Sequence, residues 1–102
     1  MEQGEIEVLL EVGQSYLLNK EYEKAIIKFS EALKMNPHEP EVYYYLGLAY
    51  EGAEKLPEAI KMYEKTLTLD KSFSNAEMRL KELKQKIAEK NAEKKKDQPI
   101  LS

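Results

Sequence analysis

Apolar residues recur along this chain at helical spacing and break at regular intervals. Val8, Leu9, Val12, Tyr16 and Leu17 make one stripe, separated by steps of three and four. Tyr22, Ala25, Ile26, Phe29, Ala32, Leu33 and Met35 make a second, and Asn19-Lys20 forms the turn between them. The run Asn36-Pro37-His38-Glu39-Pro40 stops the second helix, because Pro37 cannot continue it, while Pro40 suits the first turn of the next. A third helix is predicted over about 40–52, with Gly52 ending it. A fourth has Pro57 just inside its start and runs to about Leu69. Ser74-Asn75-Ala76-Glu77 reads as a capping box that opens a fifth helix. Along that helix Phe73, Ala76, Leu80, Leu83 and Ile87 make a single apolar edge, which fades beyond Ile87.

The pattern is periodic on a longer scale. A shift of 34 residues lays EVLLEVGQSY (7–16) over EVYYYLGLAY (41–50). Glu7, Val8, Gly13 and Tyr16 then meet Glu41, Val42, Gly47 and Tyr50, and Ala25, Ile26 and Leu33 meet Ala59, Ile60 and Leu67. The aromatic pair Phe29 and Tyr63 also coincides. Matches that fall mostly on apolar and small positions at helical spacing indicate a duplicated helix pair, each pair burying its face on its neighbour. Gly13 with Ala25, and Gly47 with Ala59, are expected to let the two helices of a pair approach closely. The fifth helix, apolar on one edge only, is expected to close the stack. The organisation expected is two units, about 6–39 and 40–73, a capping helix from 74, and a basic, flexible tail over 91–102.

These residues resemble the tetratricopeptide repeat. Leu9, Val12-Gly13, Tyr16, Ala25, Phe29, Ala32 and Pro37 carry the resemblance, and Tyr43, Leu46-Gly47, Tyr50, Ala59 and Tyr63 repeat it. Thr66 and Lys71 stand where the second repeat would have alanine and proline. The resemblance implies an all-α fold: a right-handed α-solenoid of antiparallel helix pairs, five helices in all. It also implies a concave groove lined by the first helix of each pair, and a scaffold role in binding peptide or protein segments without chemistry of its own.

On that reading the groove takes Glu7, Leu10, Glu11, Gln14 and Leu17 or Leu18 from the first unit. The second gives Glu41, Tyr44, Tyr45, Leu48 and Glu51, and the cap gives Asn75, Met78, Arg79 and Glu82. Leu10, Tyr44, Tyr45, Leu48 and Met78 form an apolar centre, and Glu7, Glu11, Glu41 and Glu51 an acidic rim. Such a patch marks an interaction site, here for an apolar and basic segment. Tyr43 is expected in the core, and Tyr44 stands between groove and inter-repeat packing. One subgroup of the family clamps a chaperone's C-terminal carboxylate with lysine, asparagine and arginine. The matching positions here are Leu10, Gln14, Tyr45, Asn75 and Arg79, of which only Arg79 fits, so this chain is not expected to be a clamp.

Charge sharpens the picture. Residues 1–78 hold eight basic and fifteen acidic side chains, a balance of −7, and residues 79–97 hold eight and four, a balance of +4. An acidic body argues against nucleic acid as the partner, and Lys94–Lys96 among glutamates reads as a solubilising helix end. There is no cysteine, His38 is the lone histidine, and no phosphate-binding loop or metal-ligand set stands out, so no enzyme activity, cofactor or metal is expected. No apolar run approaches a membrane span, which together with the acidic N-terminus favours a cytoplasmic protein. Two repeats are few for independent stability, so self-association is the alternative expectation. It would form homo-oligomers through the edge at Ile6, Val8, Leu9 and Leu10 or through the long last helix. The segment Pro99-Ile100-Leu101 could then lie in a neighbour's groove.

Overall fold

The computed structural model describes residues 2–97, with side chains from 4 to 93. The described residues form five helices: α1 (Glu2–Leu18), α2 (Tyr22–Met35), α3 (Pro40–Gly52), α4 (Leu56–Leu69) and α5 (Ser74–Asp97). α1 packs on α2, α3 on α4, α2 on α3 and α4 on α5, so the chain is an all-α solenoid of antiparallel helix pairs. α5 carries the helix through 91–97, part of the stretch expected as tail, and residues 98–102 with Pro99, Ile100 and Leu101 lie outside the described residues.

The turns repeat as faithfully as the helices. After α1 the Glu21 amide donates to the Tyr16 carbonyl at 2.8 Å and the Lys20 amide to Leu17 at 3.1 Å. After α3 Lys55 donates to Tyr50 at 2.9 Å and Glu54 to Glu51 at 3.0 Å. These paired bonds are Schellman closures, with Lys20 and Glu54 in the left-handed region at φ 62° and 61°. α3 does end at Gly52, as expected, but not through glycine's backbone freedom: Ala53 is the cap and Glu54 takes the left-handed turn. The turns after α2 and α4 are also alike. The His38 amide donates to Asn36 Oδ1 at 3.1 Å, and the Ser72 amide to Asp70 Oδ1 at 3.0 Å.

The expected capping box does not form. Ser74 is already helical, and the amides of Ala76 and Glu77 donate to the Phe73 carbonyl at 3.2 Å. The chain turns one residue earlier than the Ser-x-x-Glu pattern suggested because Asp70 and Ser72 organise the turn, the Ser72 hydroxyl donating to Asp70 at 2.7 Å.

Two clusters of buried side chains hold the stack. The first joins Ala25, Phe29 and Ala32 of α2 to Val42, Leu46 and Ala49 of α3. The second joins Ala59 and Tyr63 of α4 to Ala76 and Leu83 of α5. Tyr50 packs against both and so bridges the repeats. The small residues act differently from expectation. A Cβ on Gly13 would lie 2.6 Å from the Phe29 ring, and one on Gly47 would collide with the Tyr63 ring. Each glycine thus admits the large aromatic of its partner helix, rather than meeting a small alanine. Gly52 makes room in the same way for the ring of Tyr22, across the repeat boundary.

Candidate functional site

Three adjacent tyrosines on α3 point three ways, since successive helical residues are about 100° apart. Tyr43 is not a core residue. It is half-buried at the seam of the second repeat, its hydroxyl donating to the Pro37 carbonyl at 2.9 Å and Lys65 Nζ lying 5.9 Å from its ring centre. Leu9, its counterpart, cannot span that distance or donate. Tyr44 leans on the second cluster, 5.1 Å from Phe73 and 6.0 Å from Tyr63 between ring centres. Tyr45 leans on the first, stacked on Phe29 at 5.4 Å with 14° between planes. Tyr44 and Tyr45 touch each other at 5.8 Å. Both are half-buried, each with one face on a core cluster and the remainder exposed.

The other candidate residues divide by burial. Leu10 and Leu48 are half-buried against the first and second clusters, and Gln14 is half-buried. Glu7, Glu11 and Glu41 are exposed, as are Arg79 and, at 59 %, Met78. Glu51 is not a free rim carboxylate. The fully buried Tyr63 donates its hydroxyl to Glu51 Oε1 at 2.7 Å, and Arg79 lies 3.9 Å from Oε2. Burial, followed by this hydrogen bond, holds the Tyr63 hydroxyl protonated far above the usual tyrosine range. Burial works against the charge of Arg79, but Glu51 and the Tyr44 hydroxyl beside it outweigh that, and its pKa is raised. Burial, then the neighbouring Glu41, raises the pKa of Tyr45.

A cavity of about 460 Å³ opens between α1, α3 and α5. Of the candidate residues it brings together Leu48, Arg79 and Glu51, with Leu17 from α1. Sequence reasoning missed six of its walls, Gly52 and Glu54 at the end of α3 and four others. Tyr22 and Leu56 come from the first turns of α2 and α4, and Lys86 and Lys90 from α5. A signal existed for each pair: Tyr22 and Leu56 are 34 apart, and Arg79, Lys86 and Lys90 fall on one stripe of a helix. The cavity therefore has a cationic wall on α5 beside the acidic Glu51 and Glu54, and Glu7, Glu11 and Glu41 are not among its walls.

Comparison with known proteins follows the same lines. A TPR repeat model matches residues 13–52, and a second, the tetratricopeptide repeat, matches 40–73. The chain belongs to the tetratricopeptide repeat family. It is 34 % identical over 64 residues to Hsp70-Hsp90 organizing protein 3 of Arabidopsis thaliana, covering 63 % of this chain and 12 % of that protein. It is 35 % identical over 74 residues to the peroxisomal targeting signal receptor of Kluyveromyces lactis, covering 72 % of this chain and 13 % of the receptor. The chain thus spans about an eighth of the length of these relatives. The first TPR domain of the human RPAP3 protein shares the fold, with a TM-score of 0.51 at 21 % identity over 85 % of this chain and 95 % of that one. The chain is a TPR module, a fold of protein–protein interaction. No helix among the described residues is long and apolar enough to cross a membrane.

Proposed function

We propose that the module binds an extended peptide or protein segment in the groove between α1, α3 and α5, acting as a scaffold and catalysing nothing. The observation that supports this most directly is the open cavity at Leu48, where Leu17, Tyr22 and Leu56 offer apolar wall and Arg79, Lys86 and Lys90 offer charge. Tyr44 and Tyr45 are not among its walls, but they stand on the same helix as Leu48 with rings already ordered by core packing, so little rotamer entropy is lost on binding. Exposed Met78 supplies an adaptable apolar contact.

Charge gives the groove a direction. Glu7, Glu11 and Glu41, with Gln14 beside them, favour basic residues of the segment near α1 and the start of α3. Lys86 and Lys90 form no ion pair among the described residues and favour an acidic group at the other end. The segment is therefore apolar at its centre and basic towards α1. A chaperone-tail clamp is not the reading favoured. Leu10 and Tyr45 sit against the first core cluster at two clamp positions, and the remaining arginine is already paired with Glu51. The site of action proposed is cytoplasmic.

Panning a library of random peptides against the chain tests the groove. Selected peptides are expected to carry an apolar centre with a basic end and to shift the methyl resonances of Leu48 and Met78. Peptides that instead map to α2 or α4 overturn the assignment, and tight binding of a free peptide ending in two carboxylates overturns the exclusion of a clamp.

A further inference from the structure

α1 and α3 hold the same place in their repeats and present the same stripe. Val8, Val12 and Ser15 stand where Val42, Leu46 and Ala49 stand 34 residues later. The α3 stripe is 1 %, 2 % and 0 % exposed, covered by Ala25, Phe29 and Ala32 of α2. Among the described residues nothing covers the α1 stripe: Val8 is 57 % exposed, Val12 36 %, and Ser15 is exposed as well. Beside it the seam between α1 and α2 opens into a cavity of about 760 Å³, walled by Val8, Leu9 and Met35 with Glu5, Glu31 and Lys34 at its mouth. A Cβ on Gly4 would touch nothing within 4 Å, so the cavity is open at that end. The exposed valines lie together on one helix face, with an apolar hollow next to them.

The occupant can be argued from the molecule itself. The repeat-related face of α3 is covered by a helix carrying a small, a large and a small apolar residue at positions i, i+4 and i+7, namely Ala25, Phe29 and Ala32. The charges around the α1 stripe add a second requirement. Glu5 and Glu11 flank Val8 three residues to either side and form no ion pair among the described residues. Glu31 is held by Lys28 at 3.6 Å, and among the described residues Lys34 is the one cation lining the cavity. A second copy of the chain fits poorly. α1 against α1 would bring Glu5 and Glu11 of two copies together, and Met78 is the sole large exposed apolar residue on α5 among the described residues.

We propose that this outer face of α1 is a second docking site, separate from the concave groove, and that it receives a basic amphipathic helix of a partner protein. The helix lies on Val8 and Val12 as α2 lies on Val42 and Leu46. Its large apolar residue fills the hollow at Leu9 and Met35, and its flanking lysines or arginines face Glu5 and Glu11.

The chain's own α2 supplies the probe, because it covers this face one repeat later. Two synthetic peptides of residues 21–36, each held helical by a lactam bridge, are titrated into the full chain. One has the native sequence and the other carries Glu23→Lys and Glu31→Lys. Saturable shifts of the Val8, Leu9 and Val12 methyl resonances are expected with both. The lysine-bearing peptide should bind about fivefold tighter at low salt, with the advantage shrinking in high salt. Val8→Lys, at a position exposed enough to leave the fold intact by circular dichroism, should weaken both about tenfold. Absence of saturable shifts at these methyls up to about 1 mM peptide overturns the site. So does equal or weaker binding of the lysine peptide, or a concentration-dependent dimer that Val8→Lys abolishes, which would give the face to a second copy. Shifts confined to Leu48 and Met78 would assign the peptide to the groove and overturn the proposal likewise.

Discussion

The two repeats use the same backbone for opposite chemistry at one spot. In the first, Leu10, Leu17, Phe29 and Tyr45 meet around the stacked pair Phe29 and Tyr45. A shift of 34 residues turns these four into Tyr44, Glu51, Tyr63 and Arg79. There the buried Tyr63 hydroxyl finds Glu51, and Glu51 finds Arg79. The apolar version needs only shape. The polar version needs every partner present, because a buried hydroxyl or carboxylate without one costs about 1–3 kcal/mol. Its return is direction: these contacts tie α3 to α4 and α5 and hold Arg79 beside Glu51. The repeat next to the cap is thus the more exacting of the two, and side-chain substitutions there should be felt more sharply.

The largest expected contrast is at the paired glycines. Gly47→Ala pushes a methyl into the Tyr63 ring, which its hydrogen bond to Glu51 restrains, and should cost about 3 kcal/mol by chemical denaturation. Gly13→Ala meets Phe29, which has no such tether, and should cost about 1–2 kcal/mol. Equal losses would remove the difference drawn between the repeats. Next, Glu51→Leu strands the Tyr63 hydroxyl and should cost about 2 kcal/mol. Adding Tyr63→Phe and Arg79→Tyr, which rebuilds the first repeat's chemistry, should restore most of it.

A smaller effect separates the repeats by pH. The folded pKa of Tyr63 is raised above its ordinary value of 10.0, so the fold favours the protonated hydroxyl. That contribution is fully present below about pH 10 and is lost as pH climbs further, because the unfolded chain releases the proton first. The denaturation midpoint should therefore fall above pH 10 in the natural chain and fall less in Tyr63→Phe. Smallest of all, Lys20→Gly and Glu54→Gly should each raise stability by about 0.5–1 kcal/mol, since both residues hold positive φ. Here the repeats should agree, because their turns are the same.

Much of the fold was legible because it depends on spacing. The 34-residue period, the prolines at 37, 40 and 57 and the apolar stripes define four helices and a cap through local preference and amphipathicity alone. The errors lie where a partner across the fold decides. Tyr43 read as core because Leu9 matches it, yet its hydroxyl is drawn to the Pro37 carbonyl at the surface. Glu51 read as a rim carboxylate until the Tyr63 hydroxyl beneath it was visible. Ser74 read as a cap, but Asp70 and Ser72 had already set the turn.

The same limit applies to exposure. Val8 and Val42 are one residue type in one register of two equivalent helices, and local sequence cannot separate them. The sequence by itself determined the helices, their pairing and the family, because those follow from periodicity within a few turns of chain. Only the tertiary structure decided that Val42 lies under α2 while Val8 lies bare, and that Lys86 and Lys90 line the cavity at Leu48. Burial, hydrogen-bond completion and shared cavities depend on which distant segment lies alongside, and that is a property of the assembled stack.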